Sequence, residues 1–253
     1  MAYDMNQYLE RVRRERVLSL GFHCFIQDSN IDEFKPEFWE ICQLLTIGHI
    51  HTVKMFLLDV NKDGFTTLIM AFKHAPDLRI LMLSFMTLST PQCRMLAEFL
   101  QETRVLSTLH LKYTKGVKLE EYKLLFDAIK RNPHSELREI VIVTNDGVMN
   151  REFYMWVCEL ALAQPSLLDI HVENNETPLS NADVAAMTRR MQSAQNPPRI
   201  WYYKEQCIGR DRDHDRMTVP PNVLTNSLVA ASFFNDRVVT RDNCVQICVR
   251  ECV

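Results

Sequence analysis

Apolar residues return along this chain at one short, fixed spacing. Leu106-Ser-Thr-Leu109-His-Leu111 sets the pattern. Leu78-x-x-Leu81-x-Leu83, Leu137-x-x-Ile140-x-Ile142 and Leu167-x-x-Ile170-x-Val172 repeat it, at intervals of 28, 31 and 30 residues. Within each unit the alternation has the period of a strand. Between units the apolar residues fall at the i, i+3, i+4 spacing of a helix. An L-x-x-L-x-L core followed by a helical stretch, at a period near 30, is the signature of a leucine-rich repeat. The expected fold class is therefore α/β: a leucine-rich repeat solenoid with parallel strands on the concave face, helices on the convex face, and six to seven repeats.

The outer units are more worn. Val53-x-x-Phe56-x-Leu58, 25 residues before Leu78, and Val17-x-x-Leu20-x-Phe22 read as earlier strands, and Ile200-Trp-Tyr-Tyr203 as a final partial one, counted from Pro198. Helices are expected over residues 32–48, with Phe38, Ile41, Leu44 and Leu45 on one face, and over 68–74, 90–103, 118–131, 151–163 and 181–194. Thr90-Pro91 supplies a cap and start signal, and Pro133, Pro165 and Asn196-Pro-Pro mark ends. Residues 3–16 form an amphipathic helix with Met5, Tyr8, Leu9 and Val12 together, suited to covering the open end of a stack. These readings divide the chain into a capping helix at 1–16, a solenoid at 17–204 and an irregular C-terminal cap or tail at 205–253. Within that tail, 209–216 alternates in charge as a loop would, 222–235 has the pattern of a closing helix, and 238–253 is ambiguous. Asn61, Asn145 and Asn175 stand three residues past the last strand position, where an amide bonds the turn backbone. Thr114 is a possible substitute there, whereas Phe25 and Met86 cannot make that bond.

Composition narrows the partners. About half the residues are apolar, and the formal charge of −3 gives no reason to expect nucleic acid or a membrane surface. No Gly-rich phosphate loop occurs, and no apolar run reaches the roughly 18 residues of a membrane span. The polar N-terminus, ending in Arg11-Val-Arg13-Arg14-Glu-Arg16, lacks the apolar core of a signal peptide, so the expected location is cytoplasmic and the eight cysteines are expected as thiols.

Candidate chemistry is sparse. Asp59-x-Asn61-x-Asp63-Gly64 opens like an EF-hand calcium loop, but the twelfth position, which must supply a bidentate Glu, is Met70. The preferred reading is a polar turn. Gly48-His-x-x-x-Val53 and Asp63-Gly-x-Thr66-x-Leu68 offer an ankyrin-like alternative that nothing downstream continues. His110 and His171 hold the same strand position two strands apart, roughly 10 Å, too far to share one zinc ion. His49 and His51 have no ligand partners at metal spacing. Cys244, Cys248 and Cys252 share a helical face that reads first as apolar packing and second as part of a metal site. Cys24, Cys42, Cys93 and Cys158 look like core residues, and Cys207 is unassigned. No nucleophile motif appears, so no enzyme, no cofactor and no metal are expected, a metal- or calcium-binding regulator being the lesser alternative.

The stronger functional signal is the sheet itself. With the strand leucines turned inward, alternate residues face the concave side: Met55, Leu57, Ile80, Met82, Thr108, His110, Glu139, Val141, Asp169, His171 and Tyr202. The N-terminal half is apolar and the C-terminal half polar and acidic. An apolar patch of that kind marks a surface for a protein partner, unless the tail or the N-terminal helix covers it.

Ile170-x-Val-Glu-Asn-Asn-x-x-Pro178-Leu179-x-Asn181, with Met187 and Asn196 beyond, resembles the last repeat of the tropomodulin and leiomodin family. Ala231-Ser-x-x-Asn235-Asp236-x-Val238 is similar to that family's closing helix. The likeness spans residues 17–240 in repeat layout and 167–200 in residue detail. It implies an actin-binding repeat domain that acts at filament pointed ends. The family's aromatic-glycine segment is replaced by Trp201-Tyr202-Tyr203-Lys-Glu-Gln, and its long N-terminal tropomyosin- and actin-binding region is absent from this sequence. The expected function is a non-catalytic protein-binding scaffold with actin the most specific candidate. The alternative is an adaptor for another protein.

Overall fold

A computed structural model of the chain describes residues 5–21, 36–56, 62–144, 148–174, 180–192, 198–202 and 206–208. Helix and strand alternate throughout: α1 (Met5–Glu15), β1 (Val17–Gly21), α2 (Pro36–Thr46), β2 (Thr52–Phe56), α3 (Lys62–Lys73), β3 (Ile80–Ser84), α4 (Thr90–Glu102), β4 (Thr108–Lys112), α5 (Leu119–Arg131), β5 (Glu139–Thr144), α6 (Arg151–Ala163), β6 (Asp169–Asn174), α7 (Asn181–Met191), β7 (Arg199–Tyr202) and β8 (Gln206–Ile208). The strands form one sheet in chain order, β1 to β7 parallel and β8 antiparallel to β7. This is the α/β solenoid arrangement of leucine-rich repeats. The antiparallel β8 falls where the repeat pattern had given no strand.

The four central units lie as their spacing predicts. Leu78, Leu81 and Leu83 are buried, and each later unit stacks its equivalents on them, so that Leu81, Leu109, Ile140, Ile170 and Ile200 form one continuous row. Each helix closes the unit from the outside, as Phe99, Phe126 and Phe153 do from successive helices. Tyr8, Leu9 and Val12 of α1 are buried against the first strand, where the Tyr8 hydroxyl donates to the Ser19 carbonyl at 2.6 Å.

Three expectations fail locally. In β2 the core positions are Val53 and Met55, beside Leu81 and Leu83. The unit therefore starts at buried Ile50, 28 residues before Leu78, and not at Val53. Both phases offer apolar residues, but they differ by three positions, an odd number that exchanges the two faces. β1 is likewise read two residues late, since Leu18 is the partner of Val53. Third, α3 begins at Lys62 rather than Leu68, taking Asp63 and Gly64 into its first turn. That conformation replaces the expected polar turn and is incompatible with the sharp loop a calcium site needs at that glycine. Asp59, Asn61, Asn145 and Asn175 lie outside the described residues. Thr114 is buried, yet its hydroxyl makes no hydrogen bond and so does not stand in for the turn asparagine. The parallel sheet also displaces the ankyrin reading.

The cap of α4 is Ser89, one residue before the expected Thr90; its N–H donates to Gln92 Oε1 at 2.8 Å. Further along, Gly116 turns the chain with φ +78°, and a Cβ there would stand 2.6 Å from the Leu88 carbonyl oxygen. Gly116→Ala is expected to cost about 2 kcal/mol, by steric strain and contact with backbone that cannot yield. A shifted urea midpoint at unchanged m-value measures it; an unshifted midpoint would mean that this turn does not matter to the fold.

Candidate functional site

Strand register sets three rows of side chains across the concave face. The first is Thr52, Ile80, Thr108, Glu139, Asp169 and Arg199. The middle row is Lys54, Met82, His110, Val141, His171 and Trp201, and the third is Phe56, Ser84, Lys112, Val143 and Glu173. Of the expected concave residues, Ile80, Met82, Thr108, His110, Glu139, Val141, Asp169 and His171 lie here. Met55 does not: it is 1% exposed and belongs to the core. Leu57 lies outside the described residues. Tyr202 pairs with Val172, in a core row, because β7 follows β6 at an interval of 30 residues rather than 31. That single-residue slip hands the concave positions to Arg199 and Trp201, which the pattern had missed although Ile200 signals the correct phase.

The two halves of this face differ in kind. At the C-terminal end Asp169 is fully engaged. Arg199 Nε donates to Oδ1 at 2.7 Å and a terminal nitrogen to Oδ2 at 2.9 Å, while Trp201 Nε1 donates to Oδ1 at 3.3 Å. The Trp201 ring stacks on His171, with centroids 5.4 Å apart and planes 13° from parallel, and the Arg199 guanidinium sits 5.5 Å from its centroid. Arg199, Trp201 and Val141 are buried and Asp169 and His171 part-exposed, so this end is tied into one network.

In the centre His110 is 6% exposed, and neither ring nitrogen makes a hydrogen bond; Glu139 Oε1 stands 3.8 Å away, too far for one. Burial pushes the His110 pKa below its usual value despite that carboxylate, and it takes His171 down to about 4. Glu139 moves the other way from what its own burial favours: His110 and His171 draw it below the usual carboxylate range. Burial raises Glu173. Both histidines are thus neutral near pH 7.

In the N-terminal half Thr52 and Ser84 are buried. Lys54, Phe56, Ile80, Met82 and Thr108 are all part-exposed, an apolar strip with one amine at its side. Among the described residues no group of three His, Cys, Asp or Glu comes together as a metal site would require. His51 has one acidic neighbour, Asp77 Oδ2 at 4.0 Å, which Arg16 also holds at 2.8 Å. Burial pushes the Cys42 and Cys158 thiols to about 11 and Cys93 to about 12, so none is a thiolate near neutral pH. Cys24, Cys244, Cys248 and Cys252 lie outside the described residues. No described helix is long and apolar enough to cross a membrane.

No protein-family model matches the chain, and no curated protein matches it in sequence. Among solved structures, the chain is similar to a tropomodulin C-terminal domain from Caenorhabditis elegans, at 14% identity and a TM-score of 0.44, over 61% of this chain and 91% of that one. A likeness of that size carries no argument about function. The fold rests on the strand order and register described above.

Proposed function

We propose that this protein is a non-catalytic scaffold that binds another protein on the N-terminal half of its concave sheet. The observation that carries the reading is the placement of Ile80 and Met82. They are neighbouring strand positions on a sheet face, part-exposed, with Phe56 and Lys54 on the next strand. Apolar side chains on an open face, rimmed by polar groups, are the usual core of a protein interface. Among the described residues the thiols of Cys42, Cys93 and Cys158 are buried and offer no nucleophile.

Actin is the partner nominated by the resemblance of residues 167–200 to the tropomodulin and leiomodin family. Capture of partners from lysate on the full chain, identified by mass spectrometry, is paired with a pyrene-actin assay of pointed-end elongation. Actin recovered together with slowed elongation is the expected result. A different reproducible partner, with elongation unaffected, would remove actin and leave an adaptor. In either case, Ile80→Glu with Met82→Glu is expected to reduce capture at least about tenfold, since each buries a charge in the contact. The circular dichroism of the free protein should not change. Undiminished capture would place the interface elsewhere.

A further inference from the structure

Two aromatic residues at the rim of the sheet hold a backbone conformation that aromatic residues avoid. Phe85 and Tyr113 follow β3 and β4 at equivalent positions, and both have φ +53°. The left-handed region suits glycine or asparagine, and a bulky side chain there is a genuine outlier. Two outliers side by side in consecutive repeats call for a reason outside local propensity.

Their rings stack face to face, with centroids 4.8 Å apart and planes 18° from parallel, and Phe85 is 41% exposed. The surrounding backbone is wired in place. Phe85 N–H donates to the Lys112 carbonyl at 2.9 Å and Tyr113 N–H to that of Val143 at 2.6 Å. Beyond them Lys115 N–H reaches Met86 O at 2.8 Å, and Leu88 N–H reaches Lys115 O at 2.9 Å, closing a parallel bridge between Thr87 and Lys115. The stacked pair therefore sits on two turns zipped together, so binding would spend little entropy on ordering them.

Charge identifies what fits. The two turns, residues 84–89 and 112–118, contain no carboxylate, and of their lysines Lys112 already acts on Glu139 and Glu173, which leaves Lys115 and Lys118. Lys115 and Lys118 are exposed. The Glu121 carboxylate at the start of α5 is already tied to the Thr90 hydroxyl at 2.7 Å and the Lys118 N–H at 3.1 Å. We propose that the Phe85–Tyr113 stack is a docking platform for an acidic peptide segment of a partner protein, whose aromatic or proline side chain packs on the rings while its carboxylates face the lysines. This surface lies at the rim, apart from the Ile80–Met82 strip, and does not depend on it.

The test exploits the strain. Asparagine accepts the left-handed conformation that phenylalanine and tyrosine resist, so Phe85→Asn with Tyr113→Asn should leave the melting temperature unchanged or raised while deleting the platform. A random dodecapeptide phage library is selected on the full chain, and recovered sequences are synthesised for fluorescence anisotropy. The expected result is peptides that pair Asp or Glu with an aromatic residue or proline and bind the Asn variant at least about tenfold more weakly. They should bind the Ile80→Glu, Met82→Glu variant as they bind the natural sequence, which separates this proposal from the concave reading. A lowered melting temperature would show that the rings serve packing. Recovery of no peptide, of peptides without acidic residues, or of peptides indifferent to the Asn substitutions would equally overturn the proposal.

Discussion

Replacing Asn132 by alanine is expected to cost about 3 kcal/mol and to lower Tm by roughly 6–12 °C. This buried amide stands at the end of α5. Its Nδ2 donates to the Leu100 carbonyl at 3.0 Å and the Thr103 carbonyl at 2.5 Å, both at the end of α4, and its Oδ1 accepts from the His134 N–H at 3.0 Å. One side chain thus satisfies backbone groups of two repeats, including carbonyls that a helix end leaves without partners. One repeat on, buried Gln164 Nε2 donates to the Ile129 and Asn132 carbonyls. Alanine strands these groups without water. Aspartate should do no better, because it keeps the acceptor but sets a carboxylate against two carbonyl oxygens. Thermal and urea melts measure the cost, and a loss under about 1 kcal/mol would show that the amide does not staple the repeats. A solenoid draws its stability from nearest-neighbour contacts, so Asn132→Ala and Gln164→Ala are expected to combine non-additively.

These staples illustrate what can be read from a repeat sequence. Both amides directly precede a proline, Asn132-Pro133 and Gln164-Pro165. The prolines mark the helix ends, but the amide's reach into the preceding repeat appears only in three dimensions. The four central strands are legible because leucine, isoleucine or valine fills every inward position there. Phase is lost where a second apolar string of the same spacing overlaps the first. Ile50-x-x-Val53-x-Met55 and Val53-x-x-Phe56-x-Leu58 are equally good strings, and only pairing with Leu81 and Leu83 decides between them. The same ambiguity misplaces Tyr202. The third concave row, including Lys112 and Glu173, lies one residue past the last strand leucine, where the repeat pattern makes no statement. The left-handed Phe85 and Tyr113 are invisible to periodicity, because side-chain type gives no warning when a bulky residue adopts a glycine conformation.

Acid should weaken the fold well before its carboxylates protonate. His110 and His171 have folded pKa values below the 6.5 of an unfolded histidine, His171 at about 4. Between those values the unfolded chain binds more protons, so stability rises with pH there. The contribution is fully present above pH 6.5 and is lost as pH falls toward 4. For His171 alone it amounts to at most about 3 kcal/mol. The groups facing the pair do not reverse the sign. Lys54 and Lys112 resist protonation of His110, and Glu139 and Asp169 only reduce the shift. Glu173, raised by burial, gains a proton early in the folded state and offsets part of the loss, whereas Glu139 adds to it only below pH 4.5. In the window between 6.5 and 4.5 the decline therefore comes from the histidines, with part-exposed His51 adding to it and Glu173 opposing it. His171→Phe keeps a ring on Trp201 and removes the titrating group. Its stability at pH 7.5 should be close to that of the natural sequence, with a shallower decline through the window, and His110→Phe should flatten the decline further. Urea midpoints at half-unit pH steps measure both slopes. If the double variant declines as steeply as the natural protein, the acid sensitivity arises outside the concave row, and the neutral, buried state of these two rings contributes nothing to how the sheet is held.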